Sequence, residues 1–537
     1  MSVSRSLPLA AAVLTLSMLV LSSMHASAQF LPKSPSLRAS AHRLAADADR
    51  PLSNSAVEIA VRGDSVWVGG GKGLDLTTDG GTTWTHFGLK DPFESEDVAA
   101  LDGYGPVWWL SLAGSYDAGE GTTLPDGKGL AYSTDNGATW TRIAQPMEAE
   151  NDSTILVPYG ANQIKALAVT TSINNITYDI AVTSNAVWTA SFAGGLRRST
   201  DGGKNFEPVV LPPDTRDSIS ITDTLDFELS PVDRPDKWNR TGTLKGMRGS
   251  LNHRVFSVLA IDDSTILVGT AAGINLTTNN GRSWRRFSYS NQVQPISGNF
   301  VVALARNVIG GREYIWASTI NALEPQEFRA ISFTTDRGRT WSTTLRGQFT
   351  HNFGFQGEIV YAVTNDGVFR TDDGGRTWGH FQTFIDTQSR NRAASTTCYA
   401  VAAQGSRVWI SNSDGLMYTE DSAQRFFGST WKIFRAAQSV ASSTEAYAYP
   451  NPFAPDDEVC RIHYRAGASG TVSIAVYDFA MLPVRTIVRN AARSAGVEHD
   501  EVWDGKTDDG RQAANGVYYI NVETGGESAW TKVIVLQ

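Results

Sequence analysis

One eight-residue pattern recurs along this chain and sharply limits what it can fold into. Six copies are clean: Thr77-Thr-Asp79-Gly-Gly81-Thr-Thr-Trp84, Ser133-Thr-Asp135-Asn-Gly137-Ala-Thr-Trp140, Ser199-Thr-Asp201-Gly-Gly203-Lys-Asn-Phe206, Thr277-Thr-Asn279-Asn-Gly281-Arg-Ser-Trp284, Thr334-Thr-Asp336-Arg-Gly338-Arg-Thr-Trp341 and Thr371-Asp-Asp373-Gly-Gly375-Arg-Thr-Trp378. A seventh starts at Thr419-Glu-Asp421 and reaches Trp431 only after an insertion. Each residue type suits a tight hairpin. Asp or Asn accepts hydrogen bonds from nearby backbone N–H groups. Gly takes a conformation strained for other residues. Ser or Thr bonds the backbone locally. The aromatic residue opens the next strand and folds over the turn, so Trp84, Trp140, Trp284, Trp341 and Trp378 should be largely buried. None of this needs a substrate, and Asp79, Asp135, Asp201, Asn279, Asp336, Asp373 and Asp421 are read as structural.

The repeat is longer than the turn. Three residues before each leading Ser or Thr stands an apolar residue: Leu74, Leu130, Leu196, Ile274, Ile331, Val368 and Leu416. Further upstream lies a bulky apolar pair: Val66-Trp67, Val107-Trp108, Val187-Trp188, Ile266-Leu267, Ile315-Trp316, Val360-Tyr361 and Val408-Trp409. An apolar run precedes each pair. Every unit therefore holds four short strands, with the pattern joining the third to the fourth. Four strands repeated radially make a propeller blade. The fold class expected is all-β: a seven-bladed propeller over 55–434, followed by a small immunoglobulin-like sandwich.

The eight-residue pattern resembles the Asp-box, or BNR, repeat of sialidase-type β-propellers. That resemblance places the boxes at the propeller periphery, away from any site.

Residues 1–28 read as a secretory signal. Arg5 supplies the positive start, Leu7–Leu21 a mostly apolar core, and Ala26-Ser-Ala28 a cleavage site ahead of Gln29. Residues 29–54 are an N-terminal segment. No later stretch reads as a membrane span. The net charge of −9 disfavours nucleic acid as a partner. Two cysteines, Cys398 and Cys460, make no disulfide framework.

Residues 435–445 are small and polar and read as a linker. Tyr449-Pro-Asn-Pro-Phe453 then opens a tail, 446–537, of alternating strand-like runs such as Thr471–Tyr477 and Gly516–Val522. With Trp503-Asp-Gly505 and Gly516-Val-Tyr, these residues resemble two related families, the immunoglobulin-like domain of flagellar hook-capping proteins and the C-terminal sorting domain of type IX secretion cargo. The resemblance implies export or surface attachment through secretion or outer-membrane machinery.

Catalytic signals are weak. The sialidase resemblance implies an arginine triad and an Arg-Ile-Pro motif, but Arg38, Arg43 and Arg62 lack that context. A resemblance to xyloglucanase-type propellers would imply paired carboxylates; Asp97, Asp117 and Asp223 sit near expected loops, where acids are ordinarily just solvated, and no catalytic residue is assigned. Asp117, Glu120 and Asp126 could form an oxygen-rich calcium loop; otherwise no cofactor is expected. In a blade, the boxes mark one face. Five long connections (111–128, 145–163, 212–253, 317–329 and 382–397) are expected on the other. Long loops gathered on one face of a rigid scaffold often carry function, with Trp109, Asp117, Trp238 and Arg240 as candidate ligand contacts. The reading is a secreted or cell-surface, non-catalytic protein that binds a glycan or protein. The alternatives are a glycoside hydrolase and an extracellular assembly factor.

Overall fold

The computed structural model describes residues 50–536, apart from 88–92, 94–95, 120–121, 233, 236–245, 248, 389–391, 437–439, 441, 456–458 and 469. The expected signal segment, Glu120, Trp238 and Arg240 lie outside the described residues. Those described are almost wholly β, with one 3-10 turn at Leu251–His253.

Between residues 56 and 434 the chain forms seven successive antiparallel sheets, each built on four consecutive strands. The first is Ala56–Arg62, Ser65–Gly70, Gly73–Thr77 and Thr85–His86. The first strands of the others are Asp97–Tyr104, Thr177–Val182, Val255–Ala260, Phe300–Ile309, Thr350–Gln356 and Cys398–Gln404. Each first strand lies against that of the next sheet, and the last lies against Ala56–Arg62. The first strands are therefore innermost, in the radial arrangement of a β-propeller. All seven carry a register shift against their second strand at the same early point, as between Ala56 and Glu58 or Thr350 and Asn352. Such a bulge re-aims the side chain that follows it.

The sheets are joined by a repeated contact. The turn glycine of one box rests on the large ring of the preceding sheet. A Cβ on Gly137 would stand 2.2 Å from Trp67, and one on Gly203 2.2 Å from Trp109. Trp188 and Trp316 underlie Gly281 and Gly375 in the same way, at longer range. A second contact recurs at three junctions. Ser111, Ser318 and Ser411 donate to the carbonyls of Thr177, Thr350 and Ala56, each the first residue of the next innermost strand. The last of these closes the ring, helped by Trp84 packed on Trp409 and Phe434. Among the described residues, no strand is exchanged between the first and seventh sheets.

Strand pairing corrects the repeat in the second sheet. Trp109, not Trp108, pairs with Tyr132, two residues after Leu130, as Trp67 pairs with Leu76. The bulky pair is thus Trp108-Trp109. Trp109 is 2% exposed, stacked on Tyr132 and covered by the third box. It offers no surface to a ligand.

The tail packs a three-stranded sheet (Ala446–Tyr449, Cys460–Arg465, Glu498–Trp503) on a four-stranded one (Pro483–Ala492, Thr471–Tyr477, Gly516–Thr524, Glu527–Val535). Phe453, Ile462, Tyr464, Trp503, Ile520 and Val533 fill the space between them. Cys398 and Cys460 are both buried, and neither is in a disulfide.

Candidate functional site

The boxes are self-contained. In the second, Asp135 Oδ1 accepts from Ser133 Oγ (2.7 Å) and Thr139 N (2.9 Å), while Oδ2 accepts from Thr139 Oγ1 (2.6 Å). Gly137 N donates to Ser133 Oγ (2.8 Å). These donors hold Asp79, Asp135 and Asp201 down at about 2, with the Thr83, Thr139 and Asn205 bonds the main causes. Asn279 fills the same place, its Oδ1 accepting from Thr277 Oγ1 and Ser283 N while its Nδ2 donates to Ser283 Oγ. In the seventh box Thr419 keeps its role, accepting from Gly428 N (3.0 Å). Asp421 instead accepts from Tyr361 Oη (2.6 Å) and Arg370 Nε (2.5 Å) of the sixth sheet. Trp84, Trp284 and Trp341 are buried, but Trp140 and Trp378 are only half-buried.

On the axis, the innermost strands enclose a cavity of about 290 Å³ lined by Glu58, Asp102, Asp179 and Asn352 among apolar neighbours such as Leu304. Glu58, Asp179 and Asn352 each follow the bulge of their strand, which turns them to the axis. Burial pushes the Asp102 carboxyl up to about 7, although Val182 and Gly103 N–H groups and Arg62 act against that shift. Asp102 Oδ2 accepts from Val182 N (2.7 Å), and Asp179 Oδ2 from Val258 N (3.0 Å). Each carboxylate thus pairs a backbone donor on the open edge of the next sheet. An unpaired sheet edge is a liability, and these two acids satisfy it from inside the ring. Toward the strand starts the centre is filled by Tyr178, Phe256 and Phe300. The sequence carries a faint signal for Glu58 and Asp179, since each interrupts a largely apolar innermost strand.

The three acids expected near loops stand on separate elements. Asp97 opens the second sheet and is buried, its carboxyl pushed up to about 7 by burial and then by Glu96. Asp223 is exposed and caps Ser220 N (2.8 Å). Asp117 is exposed near the tip of a long hairpin, with Oδ1 accepting from Gly119 N (2.8 Å). Residues 111–128 are this hairpin rather than a loop: Val107–Gly119 pairs with Thr122–Ser133 out to Gly119 and Thr122. Tyr116 beside Asp117 is 41% exposed and went unremarked in the sequence. Of the calcium candidates, Asp126 pairs with Lys128 Nζ at 2.6 Å. Among the described residues no group of three metal-ligating side chains converges, and no helix is long and apolar enough to cross a membrane.

The described parts of the long connections 145–163 and 212–253 pack against the ring. Thr154–Tyr159, Asn162–Leu167 and Glu228–Leu229 form a small sheet. Ser218–Ser220 adds a fifth strand to the outer edge of the fourth sheet, and Ile221 N reaches Arg282 O inside the fourth box. Ile219, Leu225 and Leu229 share one core with Trp188 and Trp284. The connection therefore wraps the outside of the ring to the box side rather than staying on the opposite face.

The BNR/Asp-box repeat model matches residues 131–142, which span the second box. No match was found among curated proteins. Among solved structures, the chain is similar to YCF48 from Cyanidioschyzon merolae at 15% identity, covering 69% of this chain and 96% of that one, TM-score 0.39. It is similar to the GH74 enzyme of Niastella koreensis at 12% identity, covering 90% and 73%, TM-score 0.43. PorZ, a surface component of the type-IX secretion system of Porphyromonas gingivalis, matches at 13% identity, covering 90% and 75%, TM-score 0.29.

Proposed function

We propose that the chain is an exported, non-catalytic binding protein: a seven-bladed propeller that holds a glycan or protein ligand, with an immunoglobulin-like tail serving export or surface attachment. The observation that carries the non-catalytic reading is the use of the axial acids. Asp102 and Asp179, the two aspartates that line the axial cavity, each hold a backbone N–H of the neighbouring sheet. For the ligand, the second-sheet hairpin extends away from its box, because the third strand runs from the hairpin tip to Ser133. It presents Ser115, Tyr116 and Asp117 to solvent. An aromatic ring beside hydrogen-bonding groups suits a glycan or a peptide.

A glycan array and a peptide library, read with intact protein and with Tyr116→Ala, test this reading. Binding that is lost in the variant while melting is unchanged supports the hairpin. Glycan hydrolysis that disappears in Asp179→Asn would replace the reading with a glycoside hydrolase. For the tail, removing 446–537 should leave the propeller in the periplasm of the native host, and unchanged delivery would reject the export role.

A further inference from the structure

The tail meets the ring through charges. Asp414 lies in the turn between Arg407–Asn412 and Gly415–Glu420 of the seventh sheet and is 6% exposed. Both its oxygens are met by Arg461 of the tail, through Nε and Nη2. Ala394 N donates to Oδ2 (2.7 Å), and Arg435 Nη2 stands 3.6 Å away. Arg435 and Arg461 also both donate to the Arg392 carbonyl, at 2.8 and 3.3 Å. One ring carboxylate and one ring carbonyl thus hold two guanidinium groups, one from each side of the junction.

A second row lies beside the first. His463 bridges Asp500 (3.0 Å) and Glu498 (3.3 Å) on the tail. Glu498 also takes Arg50 Nη2 (3.5 Å) and Val440 N (3.1 Å). Asp500 sits close enough to Arg435 and Arg461 for both to favour its ionised form. Between the rows and the first box is a cavity of about 490 Å³, lined by Lys432, Asp386 and Arg435 from the ring side. Among the described residues of the connecting segment, the buried apolar side chains are Ala436 and Val440.

We propose that this junction is a reversible docking latch, with Asp414 its key residue, which holds the tail on the seventh sheet and can release it intact. Permanent interfaces are rich in apolar area, whereas this one is polar, and charged groups regain hydration when they part. Docking turns the three-stranded sheet inward through Arg461, His463 and Asp500. The four-stranded sheet, with Tyr519 at 36% and Trp530 at 48% exposure, then lies on the side away from the latch. Release frees the tail to reorient without uncovering a core, since each part keeps its own.

The test is small-angle scattering of the full chain, with calorimetry, at low and at molar salt. Wild type at low salt should scatter as one compact body. Asp414→Asn leaves two buried guanidinium groups facing a neutral partner, and the extended population should rise about tenfold or more. Molar salt, which screens the more exposed outer row at Glu498 and Arg50 more than the buried Arg461–Asp414 pair, should move wild type in the same direction by a smaller amount. Because Asp414 also holds Ala394 N within the ring, Arg461→Met provides release from the tail side with the ring's own bonds intact. Extension in both variants, with the ring transition unmoved, supports the latch. A wild type already extended at low salt, or an Arg461→Met chain as compact as wild type, overturns it.

Discussion

The contacts between sheets and the contact between ring and tail are built from opposite materials. Within the ring, a tryptophan of one sheet lies under a glycine turn of the next, as Trp67 does under Gly137. At the tail, two arginines converge on Asp414. The apolar contact cannot open without exposing a large ring to water, and it recurs with the sequence repeat. The charged contact at the tail loses less on opening and, like the Arg370–Asp421 pair between the sixth and seventh sheets, does not recur with the repeat. Stability in a ring of this kind resides in the repeated contacts, whereas the single polar junction can part without cost to either core.

The largest effect should come from the ring. Trp188 is fully buried against Trp284 and the inserted residues Ile219 and Leu229. Trp188→Ala should cost about 3–5 kcal/mol by denaturant melting. Deleting 218–229 strips the same core from its other side and should abolish the folded ring in circular dichroism. An intact ring after that deletion would show that the insertion is only a cover.

Next in size is a pair of glycine substitutions that separates packing from backbone strain. Gly137 and Gly281 share a positive φ, at 84° and 83°. A Cβ on Gly137 would strike Trp67 at 2.2 Å, whereas one on Gly281 finds its nearest side-chain atom at 3.6 Å. Gly281→Ala should cost about 1–2 kcal/mol from conformation alone. Gly137→Ala should cost roughly 1–3 kcal/mol more from overpacking. Equal losses would mean that the ring under the turn contributes nothing to the junction.

What was legible in the sequence follows the same division. Turn chemistry and apolar spacing are local, so each repeat unit coincides with one four-stranded sheet. Where a unit carried two tryptophans, spacing alone could not choose the register, and the pair slipped by one residue to Val107-Trp108. That slip left Trp109 looking free for a ligand. Pairing between Ser218–Ser220 and Ser283–Phe287 joins segments far apart in the chain and has no local signature. Nor does the Arg461–Asp414 contact, and the segment at 435–445 that reads as a plain polar linker contains the buried Arg435 and Val440. The bulge that turns Glu58, Asp179 and Asn352 to the axis is a property of strand pairing and leaves no local mark in the sequence.

Asp102 gives a smaller effect of opposite sign to most acid substitutions. Its carboxyl is raised to about 7 in the fold, against an ordinary 3.8. A raised acid contributes fully below the unfolded value, and that contribution is lost as pH rises through the folded one. Asp102→Asn keeps an oxygen for Val182 N and removes the buried charge. The variant should match wild type near pH 4 and exceed it by roughly 1–2 kcal/mol at pH 8. A variant weaker than wild type at both pH values would show that attraction to Arg62 outweighs the burial penalty.

The smallest effect belongs to the box acids, and its pH dependence distinguishes fixing a turn from binding a ligand. Asp135 is exposed and held at about 2 by Thr139 and Ser133, below the ordinary 3.8. A depressed acid contributes stability above the unfolded value, and that contribution is lost as pH falls through the folded one. The ring should therefore start to weaken below about pH 4. Asn279 shows that an amide fills the same place, with Ser283 N at 2.9 Å from its oxygen and Ser283 Oγ at 2.9 Å from its nitrogen. Asp135→Asn should therefore lower the melting midpoint slightly at pH 7 and leave it unchanged at pH 2, where the wild-type carboxylate is itself losing its charge. Asp135→Ala, which removes both acceptors, should lower the midpoint at both pH values. If Asp135→Asn abolished ligand binding while melting like wild type, the box would be a contact surface, and the boxes could no longer be treated as purely structural turns.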